Sequence, residues 1–293
     1  MDMSRVSTCS IALIDHPPEK AMEIIAAAGY KKVDLLEKLP HLSLFPHECD
    51  PTALKAAADA HGLQIANLAT YVGGGQHGRR TNWAFHGWEV PNPERFTSCG
   101  FSSEEPTKRE TELGQLRRAV DLAVYFGARS IRVMAGNNDP KTLDKIVPWF
   151  QRAAEYANEK KVYMGLENHS AGIAGTPKLC VELAEKVGSP FFGVLYEPGN
   201  IMHQMNTDYK AALDTMKECV VHCHFKDWAP SKGYTMLGEG AIDFPWIVEE
   251  LDKVGYDGDF ALEYELPTPL DTRDAETGIK KFFEAFASFF KAT

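Results

Sequence analysis

Short apolar runs alternate with helical patterns along most of this chain. Apolar runs of this length, bounded by turn residues, are typical of buried strands, whereas apolar positions three and four apart indicate helices. The predicted strands are Val6–Ile14, Lys32–Leu36, Leu63–Tyr71, Ser130–Ala135, Val162–Glu167, Phe191–Tyr196, Cys219–Phe225 and Phe260–Tyr264. The first predicted helix ends at about Ala28, and the others are Pro51–His61, Glu110–Phe126, Leu143–Asn158, Pro177–Lys186, Tyr209–Met216, Pro245–Val254 and Thr272–Lys291.

This alternation predicts the fold class. Strands separated by helices form parallel sheets, and eight such pairs in a chain of 293 residues favour a closed (β/α)8 TIM barrel. We therefore predict an α/β protein with a single barrel domain over residues 1–293. An open, doubly wound sheet is the alternative, but the first strand–helix turn lacks the G-x-G-x-x-G pattern of dinucleotide-binding folds.

Residues 72–108 interrupt the alternation. They show no clear periodicity and are rich in glycine, aromatic and charged residues. The segment follows the third predicted strand, so in a barrel it leaves the catalytic face. Long loops in compact domains commonly serve as lids or binding loops. We predict an insertion that covers a polar ligand; a contact between subunits is the alternative.

Composition narrows the range of partners. The formal net charge is −10, which argues against a surface for nucleic acids or anionic membranes. No apolar stretch approaches the 18 residues of a membrane-spanning helix. The six cysteines form no C-x-x-C pair, and no secretory leader precedes the first strand. These features predict a cytoplasmic protein with reduced thiols.

The ends of the last four strands carry the strongest chemical signal. The fifth, sixth and eighth predicted strands end near Glu167, Glu197 and Glu263. The seventh carries His222 and His224 on one face. In a barrel these tips converge on the active-site mouth. Crowded carboxylates repel one another unless a cation joins them. An oxygen-rich set with one imidazole suits Mn²⁺ or Mg²⁺, and Co²⁺ or Zn²⁺ is also compatible. Solvated or salt-bridged side chains are the alternative.

The motifs LENHS, YEPGN, HCHFKD and LGEGAIDFPWIVEELDKVGYDGDFALEYE run from Gly165 to Glu265. This region resembles the xylose-isomerase-like TIM-barrel family of sugar isomerases and epimerases. In that family Glu, Asp, His and Glu side chains from four strands hold one divalent metal. The resemblance assigns these roles to Glu167, Glu197, His224 and Glu263. The chain departs from the pattern twice: Glu197 stands where Asp is usual, and Asn200 stands where the epimerases often have His, with His203 nearby as a substitute.

The resemblance implies an isomerase or epimerase of a small keto sugar or polyol that works through an enediolate, with Glu167 and Glu263 as the catalytic carboxylates. A lyase or dehydratase acting on a keto-inositol, a dehydroshikimate-like acid or a 3-keto sugar is the alternative. A phosphodiester hydrolase is disfavoured by the acidic charge, and a non-catalytic sugar-binding barrel remains a further reading. We expect a small carbohydrate as the partner, with a homo-oligomer as a secondary expectation. The candidate substrate contacts are Glu37, His169, Asn200, His203 and Lys226.

Overall fold

The computed structural model describes residues 1–75, 100–137, 139–169, 172–265 and 275–290. Eight parallel strands close into a barrel, which confirms the predicted TIM-barrel architecture. The barrel strands are β1 (Val6–Cys9), β2 (Lys32–Leu36), β3 (Gln64–Ala69), β4 (Ser130–Val133), β5 (Tyr163–Glu167), β6 (Phe192–Tyr196), β7 (Val220–Phe225) and β10 (Phe260–Leu262). The barrel closes where β1 pairs with β10, with Val6 opposite Phe260.

Helices connect the strands around the outside of the barrel. They are α1 (Pro18–Ala27), α2 (Pro51–Ala60), α3 (Pro106–Phe126), α4 (Leu143–Lys160), α5 (Pro177–Val187), α6 (Pro198–His203), α7 (Tyr209–Met216), α8 (Phe244–Lys253) and α9 (Ala275–Ser288). Proline at the first helical position starts α2 and α5, because its missing N–H would have no partner there. Gly127 and Gly188 end α3 and α5 in the left-handed conformation.

The main core lies between the barrel and its helices. Phe225 on β7 contacts the rings of Phe244 on α8, Phe260 on β10 and Phe286 on α9, with centroids 5.1, 5.4 and 5.9 Å away. All four side chains are fully buried. Burying one such phenylalanine side chain adds roughly 1.5–3 kcal/mol to the free energy of unfolding. This cluster fixes the last quarter of the barrel and explains why the closing helix is rich in phenylalanine.

A short helix and a hairpin near the barrel mouth were not predicted from the sequence pattern. Helix α6 has only six residues, fewer than two turns, so it shows no apolar period. Strands β8 (Asp227–Ala229) and β9 (Gly233–Thr235) form a short antiparallel hairpin that follows β7. Both elements pack beside the ends of β6 and β7. They therefore shape the part of the barrel where the candidate residues lie.

The predicted insertion is only partly described by the structure. Residues 76–99, which include most of the predicted lid, lie outside the described residues. The described flanks meet: the Phe101 N–H donates a 3.0 Å hydrogen bond to the Gly73 carbonyl. Helix α3 begins at Pro106 instead of the predicted Glu110, because its polar first turn carries no apolar signal.

Two expectations from composition can be compared with the described part of the chain. Cys9, Cys49, Cys180, Cys219 and Cys223 are all free thiols. Among the helices that the structure describes, none combines the length and the apolar character needed to cross a membrane.

Candidate active site at the carboxyl end of the barrel

Three strand ends place Glu167, His224 and Glu263 together inside the barrel. Glu167 is the last residue of β5, His224 lies on β7, and Glu263 directly follows β10. The register is fixed by the Glu263 N–H, which donates a 3.0 Å hydrogen bond to the Phe225 carbonyl. All three side chains are buried. The barrel therefore brings these three side chains together, as the sequence predicted.

The three side chains offer a compact set of ligand atoms. His224 Nδ1 lies 3.5 Å from Glu167 Oε1 and 3.7 Å from Glu263 Oε2, and one atom from each residue falls within 4.8 Å of the others. His224 Nδ1 is buried and makes no hydrogen bond of good geometry with any described residue. A buried polar atom of this kind normally has a partner. The arrangement can therefore hold a divalent cation.

Arg132 on β4 pairs with Glu167. Its Nη1 lies 3.1 Å from Glu167 Oε2, while Nε and Nη2 donate to the carbonyls of Thr70 and Ala69. The guanidinium also lies over the Tyr71 ring, 4.7 Å from its centroid. Burial alone would raise the pKa of Glu167, but mainly the charge of Arg132 lowers it to about 2. Glu167 is therefore ionised at neutral pH and can accept a proton.

Lys226 is the second cation of the site. Its ammonium lies 2.8 Å from Glu263, 2.9 Å from Glu265 and 3.9 Å from Glu197. Burial opposes ionisation of Glu263, yet the charges of Lys226 and His224 hold its pKa well below the usual range. Burial raises the pKa of Glu265. Lys226, a predicted substrate contact, thus contacts the catalytic candidates directly.

Glu197, which the resemblance names as a metal ligand, caps a short helix in this structure. Its carboxylate accepts N–H groups from Gly199 at 2.8 Å, Asn200 at 2.6 Å and Lys226 at 3.2 Å, and so caps helix α6. Asn168 holds the Glu197 backbone through two 2.8 Å hydrogen bonds. Burial raises the pKa of Glu197 to about 7. Within the described residues, Glu197 is not among the clustered ligand atoms.

The remaining predicted substrate contacts differ in how close they come to this cluster. Asn200 is buried and accepts hydrogen bonds from Tyr234 and Gln204, which ties α6 to the hairpin. His203 is exposed, with its ring 5.0 Å from that of Tyr234. His169 follows Glu167, and burial lowers its pKa. Glu37 accepts the Tyr71 N–H at 2.7 Å, beside the ring that lies against Arg132.

A second cluster lies deeper in the barrel and was missed by sequence reasoning. Asp34, on β2, accepts hydrogen bonds from Ser7 Oγ at 2.6 Å and from His222 Nε2 at 2.6 Å, and His224 Nε2 lies 3.3 Å away. All four side chains are buried. An acidic residue between Val33 and Leu35, inside an apolar strand, is the signal that could have identified it.

Comparison with known proteins identifies a family that this chain matches over most of its length. Residues 22–287 match the model described as xylose isomerase-like TIM barrel. A protein of Escherichia coli (strain K12), provisionally named L-ribulose-5-phosphate 3-epimerase SgbU, is 27% identical over 176 residues, which are 56% of this chain and 61% of that protein. The match thus spans about three fifths of the relative's length.

Two solved structures show the same fold. The structure of an L-ribulose 3-epimerase superposes with a TM-score of 0.72 at 15% identity and covers 98% of this chain and 94% of its own. A probable 3-DHS dehydratase from Bacillus anthracis superposes with a TM-score of 0.68 at 14% identity and covers 96% and 98% of the two chains. Since one architecture carries both names, the fold alone does not select the reaction.

Proposed function

Because the chain belongs to the xylose isomerase-like TIM-barrel family, we propose that it is a divalent-metal-dependent epimerase or isomerase of a small keto sugar or related polyol. One observation carries the proposal: Glu167, His224 and Glu263 present ligand atoms within 4.8 Å of one another in a buried site. The epimerase name of the relative from Escherichia coli supports this class of reaction.

The donor set fits a divalent cation. Two carboxylates and one imidazole suit Mn²⁺ or Mg²⁺ and are also compatible with Co²⁺ or Zn²⁺. The buried His224 Nδ1 makes only long contacts with Glu167 at 3.5 Å and Glu263 at 3.7 Å, and no hydrogen bond of good geometry, which suits a shared cation between the three groups. We assign Glu167, His224 and Glu263 as the ligands, and Glu197 as the cap of α6. When bound, the cation would polarise the substrate carbonyl as a Lewis acid.

The protein side chains then move protons. Glu167, kept ionised by Arg132, removes the proton from the carbon next to the carbonyl. Glu263 is ionised at rest, so the proton that it delivers comes from the Lys226 ammonium, 2.8 Å from its carboxylate. Solvent then reprotonates Lys226 and accepts the proton held by Glu167. Return to the opposite face of the same carbon gives epimerisation, whereas return to the neighbouring carbon gives isomerisation. His169 and Lys226 are assigned to the substrate hydroxyls.

Dehydration of a dehydroshikimate-like acid or another β-hydroxy ketone is the second candidate. Lys226 supports it, because an ammonium between Glu263 and Glu265 can protonate a departing β-hydroxyl. The first step, proton removal by Glu167, is common to both reactions.

Deuterium exchange in a substrate panel tests the proposal. The protein is stripped with a chelator, then incubated in D₂O with ketopentoses, ketohexoses, their phosphates and 3-dehydroshikimate, before and after Mn²⁺ is restored. We expect deuterium on the carbon next to the carbonyl, and an epimer or isomer, only with the metal present. Loss of water from the substrate would identify the dehydratase instead. Full activity after exhaustive chelation would overturn the metal-dependent proposal.

A further inference from the structure

Asp34 connects the deep cluster to the candidate ligands. It lies on β2, three strands around the barrel from β5 and two from β10, and its carboxylate is fully buried. His224 spans the two groups, with Nε2 facing Asp34 and Nδ1 facing the two glutamates. The His224 ring therefore has one nitrogen, Nε2, within hydrogen-bond distance of Asp34, and another, Nδ1, that makes no hydrogen bond of good geometry.

We propose that Asp34 is a positioning residue that fixes the ring orientation and tautomer of His224, so that Nδ1 presents its lone pair between Glu167 and Glu263. This inference rests on the proposed function. In the neutral imidazole only one nitrogen carries a proton. A carboxylate that accepts Nε2–H keeps the proton on that side and leaves Nδ1 as the donor atom for a metal.

The surroundings of Asp34 suit this role. Ser7 Oγ donates to Oδ1 at 2.6 Å, while His222 Nε2 contacts Oδ2 at 2.6 Å and so fixes the carboxylate from the other side. Asp34 comes from a different strand than either histidine, and 188 residues separate it from His222. Its orientation is therefore set by tertiary structure rather than by local backbone geometry.

Asp34, His222 and His224 could themselves be read as a second metal site, because their ligand atoms also cluster. Two features favour hydrogen bonding. The 2.6 Å contact between Asp34 and His222 is the length of a strong charge-assisted hydrogen bond, and Ser7 satisfies the other carboxylate oxygen. None of the nitrogens and oxygens that meet at Asp34 is left without a partner, unlike His224 Nδ1.

Metal titration of matched variants tests this role. Mn²⁺ binding is measured by calorimetry for the wild type, Asp34→Ala, Asp34→Asn and Ser7→Ala, and the visible absorption spectrum of the Co²⁺-loaded proteins reports the ligand geometry. We expect Mn²⁺ to bind about 10- to 100-fold more weakly in Asp34→Ala, since outer partners of metal ligands have effects of this size. The Mn²⁺ affinity of Asp34→Asn, which keeps an acceptor oxygen, should lie between those of Asp34→Ala and the wild type. Ser7→Ala keeps the Asp34 carboxylate but loses one of its hydrogen bonds, so its affinity should fall less than that of Asp34→Asn.

Three results would overturn the inference. Wild-type Mn²⁺ affinity and an unchanged Co²⁺ spectrum in folded Asp34→Asn and Asp34→Ala would remove Asp34 from the ligand geometry while leaving the proposed function in place. Two equivalents of Mn²⁺ in the wild type, one of them lost in Asp34→Asn, would make Asp34 a ligand. Absence of Mn²⁺ binding to the wild type would overturn the proposed function as well. Thermal unfolding without metal identifies variants that have not folded.

Discussion

The two ends of the barrel arrange their charged residues in opposite ways. At the amino end, where the strands begin, Lys32 pairs with Asp259 at 2.6 Å, Arg129 pairs with Asp257, and Arg5 donates to backbone carbonyls. Most of these groups remain partly exposed. Arg5 also pairs with Asp252 at 3.5 Å, so the three cations named here match three carboxylates one to one, which is typical of structural ion pairs.

At the carboxyl end the carboxylates outnumber the permanent cations in the cluster. Among the described residues, Glu167, Glu197, Glu263 and Glu265 share Arg132 and Lys226, with the buried Lys38 as a third cation whose charge acts on Glu265. Burying excess charge is costly unless another cation arrives. The difference between the ends teaches that function is marked by charge that is buried and incompletely paired, rather than by charge alone.

The largest effect expected from this comparison concerns catalysis. Glu263→Gln should lower kcat/KM by about a thousandfold, because Glu263 is both a proposed proton-transfer group and a proposed metal ligand. Asp259→Asn, four residues earlier and at the other end of the barrel, is the matched control and should keep the wild-type rate. Steady-state kinetics on the best substrate of the panel measures both. Equal losses in the two variants would contradict the functional distinction between the ends.

Stability of the metal-free protein gives the next effect. Lys226→Met should lower the free energy of unfolding by about 3–5 kcal/mol, since it leaves buried carboxylates without their cation. Lys32→Met should cost only about 1 kcal/mol, because its ion pair with Asp259 is partly solvated. Urea unfolding in chelator measures both. Saturating Mn²⁺ should reduce the difference in unfolding free energy between the two variants. Equal losses of unfolding free energy in Lys226→Met and Lys32→Met would contradict this prediction.

A smaller effect depends on pH and also comes from the carboxyl end, in the loop after β2. Burial lowers the pKa of His41 from 6.5 to about 4, so the unfolded chain takes up a proton before the folded protein does. Between these values, falling pH destabilises the fold, by about 3 kcal/mol in total. His41→Gln should lack this contribution, so its stability relative to the wild type should rise from pH 6.5 to pH 4. Urea unfolding at both pH values checks the sign.

Much of this architecture can be read from the sequence, because a buried strand between helices leaves a local pattern. The eight strands and the convergence of Glu167, His224 and Glu263 follow from where the apolar runs end. The position of Glu197 does not, because the six-residue helix α6 that its carboxylate caps is too short to show an apolar period. The contact of Asp34 with His222 joins strands that are not neighbours, and the contact of Arg132 with Glu167 depends on the register between β4 and β5. No local pattern records either.

The junction of Gly73 and Gly100 has a consequence for how the protein can vary. Gly100 approaches the Gly73 carbonyl so closely that an added Cβ would lie 2.0 Å from its oxygen, so the chain leaves the barrel and re-enters it at almost one point. For a flexible loop that joins two such fixed ends, the free-energy cost of loop closure rises by only about 0.6 kcal/mol for each doubling of loop length. The contact between these two glycines therefore fixes the described ends of the connection close together, so that the number of residues joining them can change at little cost to the barrel.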